Sequence, residues 1–356
     1  MKAVRLYGAM DLRVGEVAEP SAPPPGFVNL EVRAAGICGS DLHNYRTGQW
    51  ISRRPSTAGH EFCGRVTAIG EGVSHVVRGD VVSADSRMWC GTCPACTSGR
   101  SNVCETLGFV GEICDGGFAE AVQLPARLVV RHDPQLSPHV AAMAEPLAVA
   151  LHAVRRLAIP AGEPVLVIGC GTIGGLSALL LSRLHDGPLL LGDLNADKAA
   201  LVAEVTGGAV VALDRAVVEA ALSGGRVRYA LDATGSIQAI ARALDVLSGG
   251  GALRSSASDT VSSIWTRTFW SSGRFRSSAA MRLRASCPRP SNCSPIWRRR
   301  CNVSLRCCRR STMCRKLMKG CCEARAMRSR RSSRWRAEPG PSCHSECRPD
   351  WRRWRQ

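Results

Sequence analysis

The chain has 356 residues, 45% of them hydrophobic, and a formal net charge of +18. That length allows two domains, each with its own core. No run of 18 apolar residues occurs, which excludes a hydrophobic membrane-spanning helix. The charge is not a property of the whole chain: residues 252–356 hold 26 Lys and Arg against 5 Asp and Glu, and residues 1–251 hold 21 against 24. The body is therefore slightly acidic and ordinary, and the net charge alone is no pointer to nucleic acid. Met1-Lys-Ala-Val-Arg5 leads straight into strand-like sequence with no apolar leader, so a cytoplasmic protein is expected.

In chain order, the first elements are short strands and turns. Val28-Asn-Leu-Glu-Val-Arg33 alternates apolar and polar residues, as a half-buried strand does. Pro20 and the Pro23–Gly26 stretch mark the loop before it. Gly64 to Val82 reads as two more strands split by a Gly-rich turn. Residues 1–150 are expected to form a β-rich domain.

Four segments of that domain carry metal-ligating residue types. Cys90, Cys93, Cys96 and Cys104 stand in C-x2-C-x2-C-x7-C spacing. Four thiolates at such spacing wrap one tetrahedral zinc and leave no open position, which makes the site structural. Disulfides are disfavoured in the cytosol. An iron–sulfur cluster also matches the spacing. The other segments are Gly36-Ile-Cys-Gly-Ser-Asp-Leu-His43, Gly59-His-Glu61 and Ala144-Glu-Pro-Leu147. Cys38, His60 and a carboxylate from Glu61 or Glu145 would bind a zinc and leave one place for water or a substrate oxygen. Taken singly, each of these residues has an ordinary reading as a buried small residue, a capped loop or a helix start.

Residues 151–251 alternate strand and helix, as a doubly wound sheet does. Glu145–Leu157 reads as a helix ended by Pro160 and Gly162. Val165–Ile168 reads as a buried strand, followed by Gly169, Gly171 and Gly174 in G-x-G-x-x-G spacing, with Thr172 and Ile173 between them, and then by an apolar helix to Leu184. In such a turn the first glycine makes the bend, the second lets backbone approach a pyrophosphate, and the third lets helix pack on strand. A second strand, Leu189–Asp193, ends in an acid 19 residues after Gly174. Asp193 there suits the ribose 2′-OH of NAD and repels the 2′-phosphate of NADP. Helices over 196–205, 216–222 and 238–247 and strands over 209–213 and 229–234 are expected to follow. Lys198 is a helix-surface residue that does not argue for NADP.

Beyond Gly251 the pattern breaks. A fifth strand belongs there, but residues 252–356 hold 24 Arg, ten Cys, no Tyr and only ten Val, Ile, Leu or Phe. So apolar-poor and charged a segment does not fold alone, and no helical or strand period is visible. Three origins compete: a basic tail that binds nucleic acid through phosphates, a metal-binding tail, and a shifted reading frame in a GC-rich gene. The ten cysteines include no C-x-x-C pair, against the second. Shifted GC-rich codons enrich Arg, Ser, Cys, Trp and Pro, as seen here. One choice of codons for Leu253–Asp259 reads in the neighbouring frame as Ala-Phe-Val-Gly-Ile-Gly, a strand ending in Gly-x-Gly. The shifted frame is the reading adopted. Strand four would then expose an edge and an apolar face.

Through these motifs residues 1–251 resemble the zinc-dependent medium-chain dehydrogenases, most of all the polyol branch of sorbitol, idonate and butanediol dehydrogenases. The segments that carry the resemblance are 36–43, 59–61, 90–104, 144–150 and 169–174. It implies a GroES-like catalytic domain joined to a Rossmann domain, with one catalytic zinc, one structural zinc and NAD. It implies that Cys38 and His60 ligate the catalytic zinc, and that Glu61 is the third ligand or that Glu145 reaches the metal directly or through water. Ser40 matches the hydroxyl that relays the alcohol proton, with His43 the next step toward solvent. Asp41, Asn44, Tyr45 and Trp50 are candidate pocket residues, with a surface role equally open for Asn44 and Tyr45. The implied reaction oxidises a polyol or secondary alcohol to a ketone with hydride transfer to NAD. A threonine- or formaldehyde-type dehydrogenase of the same family is the alternative. The chain as written lacks the segment that completes the sheet and joins subunits, so activity and the family's homo-oligomer are not expected of it.

Overall fold

The computed structural model describes residues 1–50 and 52–256, which fall in one compact unit. The readings of the basic tail beyond residue 256 lie outside the described residues.

The chain opens with a hairpin of β1 (Lys2–Gly8) and β2 (Asp11–Glu16), then β3 (Phe27–Gly36) and the short helix α1 (Gly39–Thr47). The strands β4 (Ser56–Thr57), β5 (Glu61–Ile69) and β6 (Val81–Ala84) follow, then β7 (Arg87–Met88) and α2 (Pro94–Thr97). Next come β8 (Gly108–Phe109), β9 (Ala121–Pro125), β10 (Val129–Arg131) and α3 (Pro138–Ala141). Five of these strands form an antiparallel sheet in the order β10-β6-β5-β3-β9. The inward positions of the alternating strands fill one core: Val28, Leu30, Phe62, Val66, Val82, Leu124 and Leu128 are all essentially sealed from solvent. A smaller sheet, β2-β1-β4, carries the hairpin.

The register of β3 on β5 determines what the domain presents. Gly36 at the end of β3 pairs with Glu61 at the start of β5. The chain leaving β3 therefore turns beside the chain entering β5, and Cys38 arrives next to His60. A Cβ on Gly36 would stand 2.5 Å from the Glu61 carboxylate and 3.3 Å from its Cβ, so a larger residue there would displace that carboxylate.

The long helix α4 (Ala144–Leu157) leads into the second sheet. It touches β5 and β6 on one side and the first helix of the second sheet on the other, so Glu145 in its first turn faces back toward the β domain. The second sheet comprises β11 (Val165–Ile168), α5 (Thr172–Leu184), β12 (Leu189–Gly192), α6 (Ala196–Thr206) and β13 (Ala209–Val210), then α7 (Arg215–Ala221), β14 (Tyr229–Asp232), α8 (Ile237–Val246) and β15 (Ala252–Ser255). All its pairings are parallel, in the order β13-β12-β11-β14-β15. The order reverses between β11 and β14, the switch point whose crevice receives ligands in sheets of this kind.

Two expectations need correction. The third strand is two residues long, not five. It ends because the chain turns at Ala212, whose carbonyl accepts from Asp214 N at 2.8 Å, and Asp214 caps α7 through Ala216 N and Val217 N. The sheet also does not stop at Gly251. β15 pairs with β14 from Tyr229↔Ala252 to Asp232↔Ser255, so among the described residues β14 is not an edge. Ladder hydrogen bonds need only backbone groups, and Ala252 and Leu253 supply enough apolar surface to pack on the two layers of helices.

The parallel sheet rests on a sealed row from β11, so truncating it is costly. Leu166→Ala is expected to lower unfolding stability by about 2–5 kcal/mol, read from denaturant titration, whereas Leu12→Ala on the exposed hairpin should change it by less than about 0.5 kcal/mol.

Candidate metal centres and dinucleotide crevice

Cys38 is the N-cap of α1, with extended backbone (φ −80°, ψ 156°). A capping box fixes it: Cys38 N donates to Asp41 Oδ2 at 2.8 Å, and the backbone N–H of Asp41 points at the Cys38 sulfur. His60 lies between Gly59, which takes φ +93°, and the start of β5. A Cβ on Gly59 would stand 2.6 Å from the Phe118 ring, so only glycine admits this turn. One ligand atom from each of Cys38, His60 and Glu61 lies within 4.8 Å of the others. Glu145 is not in that trio. Its carboxylate accepts from Ser86 Oγ at 2.8 Å and acts on His60 and Glu61 through its charge.

The electrostatics of the trio are those of a cation site. Burial disfavours the charged form of His60, but the Cys38 hydrogen bond and the charges of Asp41, Cys38 and Glu145 outweigh it and push the ring up to about 9. Burial raises the Glu61 carboxyl against the pull of Cys38 and His60. Burial also raises Asp41. A thiolate, an imidazole and a carboxylate form a donor set that zinc accepts, with a fourth position left over. Asp41 Oδ1 lies 3.7 Å from His60 Nδ1, an ion-pair contact longer than a hydrogen bond.

Of the other expected residues, Ser40 Oγ stands 3.5 Å from His60 Nε2, at the trio. His43 is one turn further along α1, its Nε2 is 3.0 Å from Gln49 Oε1, and its ring lies 4.5 Å from that of Trp50. Among the described residues no hydrogen bond joins Ser40 to His43. Asn44 is buried, its Oδ1 accepting from Trp50 N at 3.0 Å, so of the two roles left open for it the surface one is ruled out. The roles of Asp41 and Ser86 at the trio went unread from sequence. Asp41 was legible as the third residue of a capping box. Ser86 meets Glu145 across 59 residues of chain, and no local signal could mark it.

The second cluster is Cys90, Cys93, Cys96 and Cys104, again with ligand atoms within 4.8 Å. Sulfur pairs Cys90–Cys96 and Cys93–Cys104 stand at 3.9 and 4.0 Å. A tetrahedron of sulfurs at zinc–thiolate distance has edges of about 3.8 Å, so the four fit one ion. All eight cysteines of the described residues are free. The four thiols are unequal: backbone N–H groups of Thr92 and Cys93 point at the Cys90 sulfur and pull it down to about 5, while burial pushes Cys96 up to about 12.

In the crevice, Gly169 takes φ +90°. A Cβ on Gly174 would fall 1.6 Å from the Gly169 carbonyl, so helix and strand meet only through glycine. A Cβ on Gly171 would meet nothing within 4 Å, and the backbone is left open to an approaching group. Thr172 and Ile173 begin α5, whose first N–H groups have no partner within the helix. This cradle fits a pyrophosphate. Asp193 follows β12, and its carboxylate accepts from Cys170 N at 2.6 Å and Asn195 N at 2.7 Å, tying the acid to the glycine loop.

An antiparallel sheet with a Cys/His/Glu trio and a four-cysteine cluster, together with a parallel sheet carrying a glycine loop at its switch point, is the layout of metal- and dinucleotide-dependent proteins. The alcohol dehydrogenase GroES-like domain matches residues 24–134. The chain is 33% identical to an L-threonine 3-dehydrogenase of Bacillus velezensis over 70% of its own length and 74% of the relative's. It is 33% identical to the L-galactonate-5-dehydrogenase of Escherichia coli over 62% and 66%, so it spans about two thirds of the length of such curated relatives. Among solved structures, (2R,3R)-butanediol dehydrogenase of Bacillus subtilis superposes with a TM-score of 0.64 and 32% identity, covering 71% of this chain and 77% of that one. A protein described as a zinc-binding dehydrogenase of Sinorhizobium meliloti, bound to NADP, gives 0.66 and 34% over 72% and 76%. The chain belongs to the zinc-type medium-chain alcohol dehydrogenase family. No helix of the described residues is long and apolar enough to cross a membrane.

The unequal thiols give a direct test. A thiolate at Cys90 is present above a pH of about 5 and lost as pH falls through that value, while Cys114, pushed up by burial to about 11, stays protonated until alkaline pH. In chelator-treated protein at pH 6.5, iodoacetamide is expected to alkylate Cys90 and spare Cys114, with added zinc protecting Cys90. Peptide mass spectrometry reads the sites.

Proposed function

We propose that the chain derives from a zinc- and NAD-dependent dehydrogenase of polyols or secondary alcohols. The observation that carries this reading is the Cys38–His60–Glu61 trio, which has three ligand atoms together and a second carboxylate, Glu145, in its field. Zinc held by Cys38, His60 and Glu61 would supply a Lewis acid for the alcohol oxygen, and NAD would supply the hydride acceptor. The four cysteines are assigned a structural zinc.

The chain's own residues then have separate tasks. Ser40 Oγ is assigned the role of taking the hydroxyl proton and passing it outward, with His43 the next station along α1. Its small size leaves room for a secondary alcohol. Asp41 acts on His60 through its charge, and Ser86 holds the orientation of Glu145. Gly169, Gly171, Thr172, Ile173 and Gly174 receive the pyrophosphate. Asp193 keeps lone pairs for the ribose hydroxyls and repels a 2′-phosphate, which supports NAD. The catalytic part is assigned to residues 1–150, the cofactor part to 151–251, and 252–356 to a shifted reading frame. A threonine-type specificity is the second reading, favoured by the 33% identity to a threonine dehydrogenase.

Resequencing codons 245–260 is expected to reveal a missing or extra base. The frame-restored protein should reduce NAD with butanediol, sorbitol or idonate better than with threonine, and Ser40→Ala should lower kcat by about 10²–10⁴-fold. Turnover of the chain as written at the rate of the restored one would overturn the assignment of the tail, and preference for threonine would overturn the polyol reading.

A further inference from the structure

We infer that Asp232 is a positioning residue for the dinucleotide: its carboxylate clamps the turn after β14 into the wall that shapes the glycine loop. The inference deepens the cofactor reading above and rests on it.

Asp232 is fully buried. It ends β14, at the switch point of the sheet, and pairs across the ladder with Ile168, the residue before the glycine loop. A buried carboxylate is costly unless it is hydrogen-bonded. This one accepts four times: from Thr234 N at 3.0 Å and Thr234 Oγ1 at 2.6 Å on one oxygen, and from Gly235 N at 3.3 Å and Ser255 Oγ at 2.8 Å on the other. Each oxygen thus binds the turn through Thr234 and Gly235, which hold it without Ser255, a β15 residue of the segment assigned above to a shifted frame. The side chain closes residues 233–235 into a ring and fastens them to the sheet.

The fastened turn is the neighbour of the glycine loop. A Cβ on Gly169 would stand 2.8 Å from Thr234 Cγ2 and 3.3 Å from the Ala233 carbonyl carbon, and one on Gly174 would stand 3.3 Å from Ala233 Cβ. Ala233 N also donates to Ile168 O at 2.8 Å. Gly169 lies against this turn, and Gly174, which meets the Gly169 carbonyl first, reaches it at Ala233. If the turn opens, the loop loses the surface that holds Gly169 at its positive φ, and the N–H groups of α5 lose their aim at the pyrophosphate. The carboxylate touches none of the expected ligand groups itself. It acts through Ala233 and Thr234.

Asparagine at 232 keeps the shape and one acceptor oxygen, but its amide NH2 would face the N–H of Gly235. The clamp opens on that side while the fold's apolar packing is untouched. The probe is ADP-ribose, which needs only the loop and Asp193, with binding followed by calorimetry on the full chain at a temperature where circular dichroism is native. Asp232→Asn is expected to weaken ADP-ribose binding by about tenfold or more with zinc content unchanged. Leu166→Ala, which loosens the same sheet without touching the turn, is expected to bind as the unmodified chain does. Should Asp232→Asn fail to fold, Thr234→Val removes one donor of the clamp and is expected to weaken binding in the same direction. Unchanged affinity in the folded Asp232 variant, or in Thr234→Val where that variant stands in for it, overturns the inference, as does an equal loss in Leu166→Ala. Should the unmodified chain not bind ADP-ribose, the same comparison is made in the frame-restored protein, and failure of that protein to bind overturns the cofactor reading itself.

Discussion

The antiparallel register of β3 on β5 is the constraint on which the metal trio depends. Gly36 opposite Glu61 fixes where one strand ends and the other begins. Two side chains far apart in sequence, Cys38 and His60, are thereby delivered to the same place. A slip of one residue would turn Glu61 to the opposite face of the sheet. The sealed core behind these strands, with Leu30 and Phe62 essentially without exposure, makes such a slip expensive. Packing in the β core thus secures the geometry of a half-buried cluster of thiol, imidazole and carboxylates.

The second sheet uses a different device for the same end. Its strands are short, the central ones β11, β12 and β14 are largely sealed, and their order places the glycine loop and the turn after β14 side by side. Close approach there is limited by backbone, which is why glycine occupies 169 and 174, while the open space at 171 is left for a ligand. The helix α4 touches both sheets and begins with Glu145. A carboxylate that faces the trio is therefore carried by the element that also packs on the cofactor sheet.

How much of this was legible in the sequence follows from how local each signal is. The four-cysteine cluster and the glycine loop could be read because spacing along a few residues dictates their geometry. The helices α4, α5 and α6 were readable from apolar spacing and their flanking residues, to within a few positions. What escaped were contacts made across long loops. Ser86 on Glu145 and the clamp at Asp232 join residues with no common pattern, and Asp232 reads only as the end of a strand. The third strand was read too long because Val211 to Leu213 continue an apolar run, and the turn at Ala212 that ends it depends on the Asp214 cap. The fifth strand was missed for the opposite reason: Arg254 and Ser255 do not look like a strand, but a waiting ladder on β14 accepts any backbone.

The central claim is that residues 1–256 hold two zinc sites of different kinds, one open and one closed. Zinc per chain, measured by elemental mass spectrometry on the purified protein and on Cys38→Ser, tests it most directly. The account predicts two equivalents falling to one, with the remaining ion resisting dilute chelator. Two equivalents retained in Cys38→Ser would contradict it.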